Sequence, residues 1–241
     1  MGEWINIAAN DGGEFGLFVE KPANGGATGV VVCIQEIFGV NHAMRDIAKH
    51  WADQGYIAIS PDLFWRQEPL VDITDGSEEE WQKAFQLYQG FDLEKGIDDL
   101  KATIAYARGM DGANGKVGSV GFCLGGKLAY LLATRADADA NVGYYGVGIE
   151  DLLGEAGNIS KPLVLHIAEE DGFVPKEAQA KVNEGLAGNG HATVYNYPGM
   201  DHAFARIGGK PYDEANAALA NGRTAEVFKA CLLYTSDAAD E

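Results

Sequence analysis

Short, nearly continuous apolar runs bounded by glycine alternate along the chain with longer stretches whose apolar positions recur at helical spacing. Residues 29–34 and 116–121 are rich in Val and Ile and show no polar alternation, the pattern of strands buried on both faces of a parallel sheet. Residues 56–60, 162–167 and 192–197 read the same way, and 142–145 more weakly. Between them the spacing predicts helices over about 43–54, 77–87, 93–108, 125–134, 176–187 and 214–229. Residues 3–9 and 14–19, joined through Asn10-Asp11-Gly12-Gly13, read as a hairpin at a sheet edge. Ser77, with Glu80 three residues on, marks a capped helix start. This alternation predicts an α/β fold: a doubly wound, mostly parallel sheet with helices on both faces. No repeat, linker or low-complexity stretch divides the chain, so one domain is expected over 1–230.

Composition narrows the function. The 241 residues carry 18 Lys and Arg against 36 Asp and Glu, a formal charge of −18. A surface this acidic disfavours nucleic acid and anionic membranes as partners. An anionic substrate needs a local cationic group to enter such a field. Cys33, Cys123 and Cys231 are too few and too widely spaced for a disulfide framework or a zinc site. Without a basic, apolar leader or a run near 20 apolar residues, a cytoplasmic setting is expected. Codons for residues 231–241 can spell a transposon-end sequencing adapter, so this segment is read as a non-native tail outside the fold.

The sharpest chemical signal is Gly121-Phe122-Cys123-Leu124-Gly125-Gly126, between a predicted strand and a predicted helix. It matches a nucleophile elbow with cysteine in the serine's place. The flanking glycines suit a turn too tight for a β-carbon, and the following helix start favours a thiolate. A base and an acid should follow in the order nucleophile, Asp or Glu, His. Of the downstream histidines, His166 lies inside an apolar strand, His191 sits in a loop at the wrong end of the next strand, and His202 falls just past a strand's carboxyl end. Asp171, followed by Gly172-Phe173-Val174-Pro175, is the leading acid, with Glu169, Glu170 and Asp201 as competitors.

These motifs, with Gln35-Glu36-Ile37-Phe38-Gly39-Val40-Asn41, Ser60-Pro61-Asp62-Leu63 and Gly143-Tyr144-Tyr145-Gly146, resemble the dienelactone hydrolase family of α/β-hydrolases over nearly the whole chain. The resemblance implies a carboxylic ester hydrolase that opens lactone rings without cofactor or metal. It implies Cys123 as nucleophile, His202 as base, Asp171 as its partner, and Glu36 as a further carboxylate that holds the resting thiol and accepts its proton. Read from its residue type alone, Glu36 has a salt bridge with Arg45 as its other role. The amides of Leu124 and Ile37 are expected to form the oxyanion hole. Phe38, Tyr145 and Trp65 are candidate apolar walls.

The family holds its substrate carboxylate with two arginines. Arg206 fits the position after the catalytic histidine, but the covering helix over 77–89 has no arginine, and Trp81 stands where the second is expected. Lys83 compensates only if it turns inward. A monomeric hydrolase of dienelactone, or of related lactones and esters, is therefore expected to work through a thioester intermediate. The alternatives are a general carboxylesterase for uncharged activated esters and a non-catalytic binder of the same fold.

Overall fold

A computed structural model of the protein describes residues 2–23 and 25–233; residues 234–241 of the expected tail lie outside the described residues. Eight strands, β1 (Glu3–Ala8), β2 (Glu14–Glu20), β3 (Thr28–Ile34), β4 (Ile57–Pro61), β5 (Ala113–Phe122), β6 (Ala140–Tyr144), β7 (Leu163–Ala168) and β8 (Ala192–Tyr197), form one sheet in the order β1-β2-β4-β3-β5-β6-β7-β8. The β1–β2 and β2–β4 pairings are antiparallel and the rest parallel, so the predicted hairpin sits at one edge of an otherwise parallel sheet.

The helices are α1 (His42–Asp53), α2 (Glu78–Gln89), α3 (Leu93–Arg108), α4 (Leu124–Arg135), α5 (Lys176–Leu186) and α6 (Glu214–Phe228). Their starts follow the local chemistry. The Asn41, Ser77, Asp92 and Asp213 side chains each accept from an amide in the first turn, replacing acceptors that the helix itself does not supply. Ser77 Oγ accepts from Glu80 N at 3.2 Å, while the Glu80 carboxylate reaches back to Thr74 N and Oγ1, each at 2.9 Å.

Strand periodicity divides the interior in two. Val30, Val32 and Ile34 pack with α3, α4 and α5 on one face, whereas Val31 and Cys33 pack with α1 and α6 on the other. The sheet is covered on both sides, as its unbroken apolar strands require. β6 starts two residues earlier than its apolar pattern implies, and it includes buried Asn141, whose Oδ1 accepts from Ser119 Oγ at 2.7 Å.

One expectation is corrected at the far end. The turn Lys229–Leu233 continues α6, and Leu232 is fully buried against Gly29 and Gly118, with its carbonyl accepting from Asn114 Nδ2 at 2.8 Å. The packed chain therefore runs past the expected boundary at 230, because an apolar side chain fills the space that two glycines leave open.

Candidate active site

The site lies at the carboxyl ends of the parallel strands. β5 ends at Phe122, α4 begins at Leu124, and Cys123 alone makes the turn at φ +56° and ψ −113°. That left-handed conformation is strained for a side chain and holds the thiol clear of the sheet. The elbow closes only on glycine: a β-carbon at Gly121 would overlap the Gly125 carbonyl, and one at Gly125 would overlap the carbonyls of Ile34 and Gln35. Leu124 opens α4, so its amide has no acceptor within the helix. Ile37 comes from the loop after β3, and both residues line the same cleft as Cys123.

Asp171 follows β7 and His202 follows β8. His202 Nδ1 meets Asp171 Oδ2 at 2.8 Å, with side chains 12% and 1% exposed. Asp171 Oδ1 also accepts from Phe173 N at 2.8 Å, which fixes the carboxylate's orientation. Cys123 and His202 line the same cleft. Burial opposes the imidazolium charge, but the hydrogen bonds to Asp171 and Cys123 outweigh it and hold the His202 pKa up at about 10. The imidazole of His202 is thereby held protonated at neutral pH.

The competing residues have other partners. Asp201 Oδ1 accepts from His202 N at 2.7 Å and Gly172 N at 3.2 Å, so it braces the loops rather than the imidazole. Glu170 pairs with Lys176 at 2.9 Å. His166 is buried between Tyr197 Oη at 2.8 Å and Thr224 Oγ1 at 3.1 Å, and burial pushes its pKa down to about 3, leaving a neutral core residue. His191 is exposed just before β8, at the strand's opposite end.

Glu36 is buried in the loop after β3, but its partner is neither Arg45 nor the thiol. Oε2 accepts from Arg206 Nη1 at 2.8 Å, while Oε1 is buried with no hydrogen-bond partner among the described residues. Arg45 instead bonds the Val40 carbonyl at 2.8 Å and Asp72 at 2.9 Å. The second edge of the Arg206 guanidinium binds Asp75 Oδ2 at 2.6 Å. Buried Gln35 ties this loop to the next strand connection, its Oε1 accepting from Leu63 N at 3.1 Å. Asp62 accepts from Phe64 N and Leu70 N, so the Ser60-Pro61-Asp62-Leu63 motif serves to shape loops.

The cleft encloses about 640 Å³. Phe38 and Trp81 wall it, with ring centroids 5.1 Å apart at an interplanar angle of 79°. Trp81 stacks on Phe85 at 5.5 Å, and Tyr88 extends the same face of α2. Residues 81, 85 and 88 follow the i, i+4, i+7 spacing, a signal in the sequence that points to this wall. Phe173, Asp75 and Lys210 also line the cleft, and sequence reasoning missed all three in that role.

Two expected walls lie elsewhere. Tyr145 is 2% exposed behind His202, 5.0 Å between ring centroids, with its hydroxyl buried and without a partner among the described residues; burial, then Glu36, push its pKa well up. Trp65 stacks on Phe15 and donates to Asp99 at 2.9 Å, away from the cleft. Lys83 turns outward to Glu68 at 2.6 Å. Among the described residues, no group of three His, Cys, Asp or Glu side chains is placed to hold a metal, and no helix is long and apolar enough to cross a membrane.

A strained turn after the central strand β5, with an acid delivered after β7 and a histidine after β8, defines the α/β-hydrolase fold. The chain matches the dienelactone hydrolase family over residues 15–232 and belongs to it. It is 50% identical over 226 residues, 93% of this chain and 97% of the other, to an Azospirillum brasilense protein provisionally named as a carboxymethylenebutenolidase. It is 43% identical over 221 residues to the carboxymethylenebutenolidase of Pseudomonas putida, covering 92% of this chain and 93% of that one. A crystal structure provisionally named as a dienelactone hydrolase, from Klebsiella pneumoniae, superposes with a TM-score of 0.83 at 26% identity, over 95% of this chain and 98% of that one.

Proposed function

We propose that the protein hydrolyses lactones and activated esters through a Cys123 thioester. The observation that carries this reading is the His202–Asp171 contact at 2.8 Å, with His202 and a cysteine at φ +56° opening on one cleft. The Cys123 thiolate attacks the carbonyl carbon, and the oxyanion forms against the amides of Leu124 and Ile37. The C–O bond breaks, and His202 gives its proton to the leaving oxygen. Neutral His202 then takes a proton from water, whose oxygen attacks the thioester and returns the thiol and the free acid. Asp171 holds the imidazole in the tautomer both steps need. The relatives named as carboxymethylenebutenolidases support a lactone as substrate.

Preference for uncharged esters is a second reading with its own support. Arg206, which lines the cleft with Lys210, is shared by Glu36 and Asp75, and Trp81 adds an aromatic wall rather than a charge. Cys123→Ala is expected to abolish turnover of dienelactone and of an aryl ester while leaving the thermal melt in place. Retained turnover of either substrate overturns the cysteine mechanism.

A further inference from the structure

Arg206 meets two carboxylates before any substrate arrives. Nη1 holds Glu36 at 2.8 Å and Nη2 holds Asp75 at 2.6 Å; the Arg206 side chain is 13% exposed and that of Asp75 is 33% exposed. A guanidinium presents its donors as a planar fork suited to carboxylates, and here each terminal nitrogen of that fork already holds a carboxylate oxygen. Glu36 is buried within the floor of the cleft, whereas Asp75 reaches Arg206 from the segment that leads into α2.

That segment is held firmly. Ile73 N donates to the Phe38 carbonyl at 3.2 Å, Asn41 Nδ2 donates to the Ile73 carbonyl at 2.8 Å, and Glu80 fixes Thr74 through its amide and hydroxyl. Asp75 therefore reaches the guanidinium already positioned, with little conformational freedom left to lose on pairing. Around them, the lining sets the carboxylates of Glu36, Asp75 and Asp201 against the cations Arg206 and Lys210, so no net positive field draws an anion inward.

We infer that Asp75 occupies the carboxylate subsite of Arg206 and so sets the enzyme's discrimination between carboxylate-bearing and uncharged substrates. This rests on the ester-hydrolase reading above and deepens it by naming the residue that selects substrate charge. An anionic lactone binds Arg206 only in the fraction of molecules in which Asp75 has let go, and its apparent affinity falls by that fraction. A neutral ester fills the aromatic part of the cleft without displacing Asp75.

The test compares kcat/KM for dienelactone, which carries a carboxylate, with that for an uncharged aryl acetate. Asp75→Asn is expected to raise the dienelactone-to-acetate ratio about tenfold, equivalent to about 1.4 kcal/mol, chiefly through dienelactone KM. Asp75→Ala should shift it in the same direction, which guards against the introduced amide keeping a hydrogen bond to Arg206. Because the competition is by contact, most of the rise should survive at about 1 M salt, where long-range fields are screened within about 3 Å. Glu79→Gln, which removes an exposed charge from α2, should leave the ratio within about twofold. An unchanged ratio in both Asp75 variants, or an equal rise in Glu79→Gln, overturns the inference while ester hydrolysis stands. If the unsubstituted protein turns over neither substrate, the proposed function falls and this inference with it.

Discussion

Replacing Asp171 with asparagine tests the site's electrostatics with little change of shape. The carbonyl oxygen of the new side chain can keep the 2.8 Å bond from Phe173 N, which leaves its NH2 group facing His202 Nδ1. Two donors then oppose each other unless Nδ1 loses its proton, and the imidazole is driven to the tautomer protonated at Nε2, unable to take a proton from the thiol or from water. The lost contact is charge-assisted and nearly solvent-free, with His202 12% and Asp171 1% exposed. Such bonds contribute about 1.5–3 kcal/mol, or one to two units of pKa at about 1.36 kcal/mol per unit. With Asp171 neutralised, burial regains weight and the His202 pKa falls from about 10.

Two readouts follow from this. kcat/KM for an alkyl ester, whose basic leaving group needs a proton, should fall about 10²- to 10⁴-fold, the upper end being what the same substitution costs a serine triad. The alkaline limb of its pH profile should move down by at least about one unit. The sign also applies to stability. A histidine raised from 6.5 to about 10 stabilises the folded state fully below its unfolded value, and that contribution is withdrawn as pH climbs through about 10. The melting temperature should therefore decline between about pH 7 and 10, less steeply in Asp171→Asn. Activity and melting measured from about pH 5 to 11 supply both readouts. Retention of more than about a third of kcat/KM with an unmoved alkaline limb, or a larger loss from Asp201→Asn, refutes the assignment of Asp171 as the acid.

Two further predictions concern packing. Gly125→Ala should destabilise the protein by about 2–4 kcal/mol, seen as a fall in melting temperature of about 5–15 °C, because its β-carbon would overlap the carbonyls of Ile34, at the end of β3, and Gln35, just after it. Leu232→Ala should cost about 2–5 kcal/mol by chemical denaturation, since the side chain is fully buried; a loss below about 0.5 kcal/mol would show that this turn adds nothing to the core.

Much of the framework was readable before the structure, for reasons visible in particular residues. Val30, Val31 and Val32 mark a strand buried on both faces, and Gly121 and Gly125 mark a turn that only glycine permits. Chain order points to an acid after β7 and a histidine after β8, while the following Gly172-Phe173-Val174-Pro175 prefers Asp171 over Glu169 and Glu170. The partners of Arg206 were not readable. Glu36 is 170 residues away and Asp75 131 residues away, and no short motif records a contact over that separation. The aromatics show the same limit: Trp81 and Tyr145 are equally apolar in sequence, yet one walls the cleft and the other lies behind the histidine. Leu232 was missed because its neighbours, Gly29 and Gly118, reveal their vacancy only when β3 and β5 lie side by side.

The register of β3 and β5 has a further consequence. Ile34 is paired with Gly121, so the two loops carrying Ile37 and Leu124 leave adjacent strands at the same level. Neighbouring strands lie about 4.8 Å apart, a spacing that backbone hydrogen bonding imposes whatever the side chains. The sheet thus acts as a ruler for the amides of Ile37 and Leu124, and Gly125 pressed against Ile34 and Gln35 clamps the gauge shut. The residues that line the rest of the cleft, Trp81, Phe85, Tyr88, Asp75 and Lys210, belong to helices and connections outside that ruler. Directed evolution can therefore exchange this upholstery for new acyl or alcohol groups while the reaction coordinate keeps its dimensions.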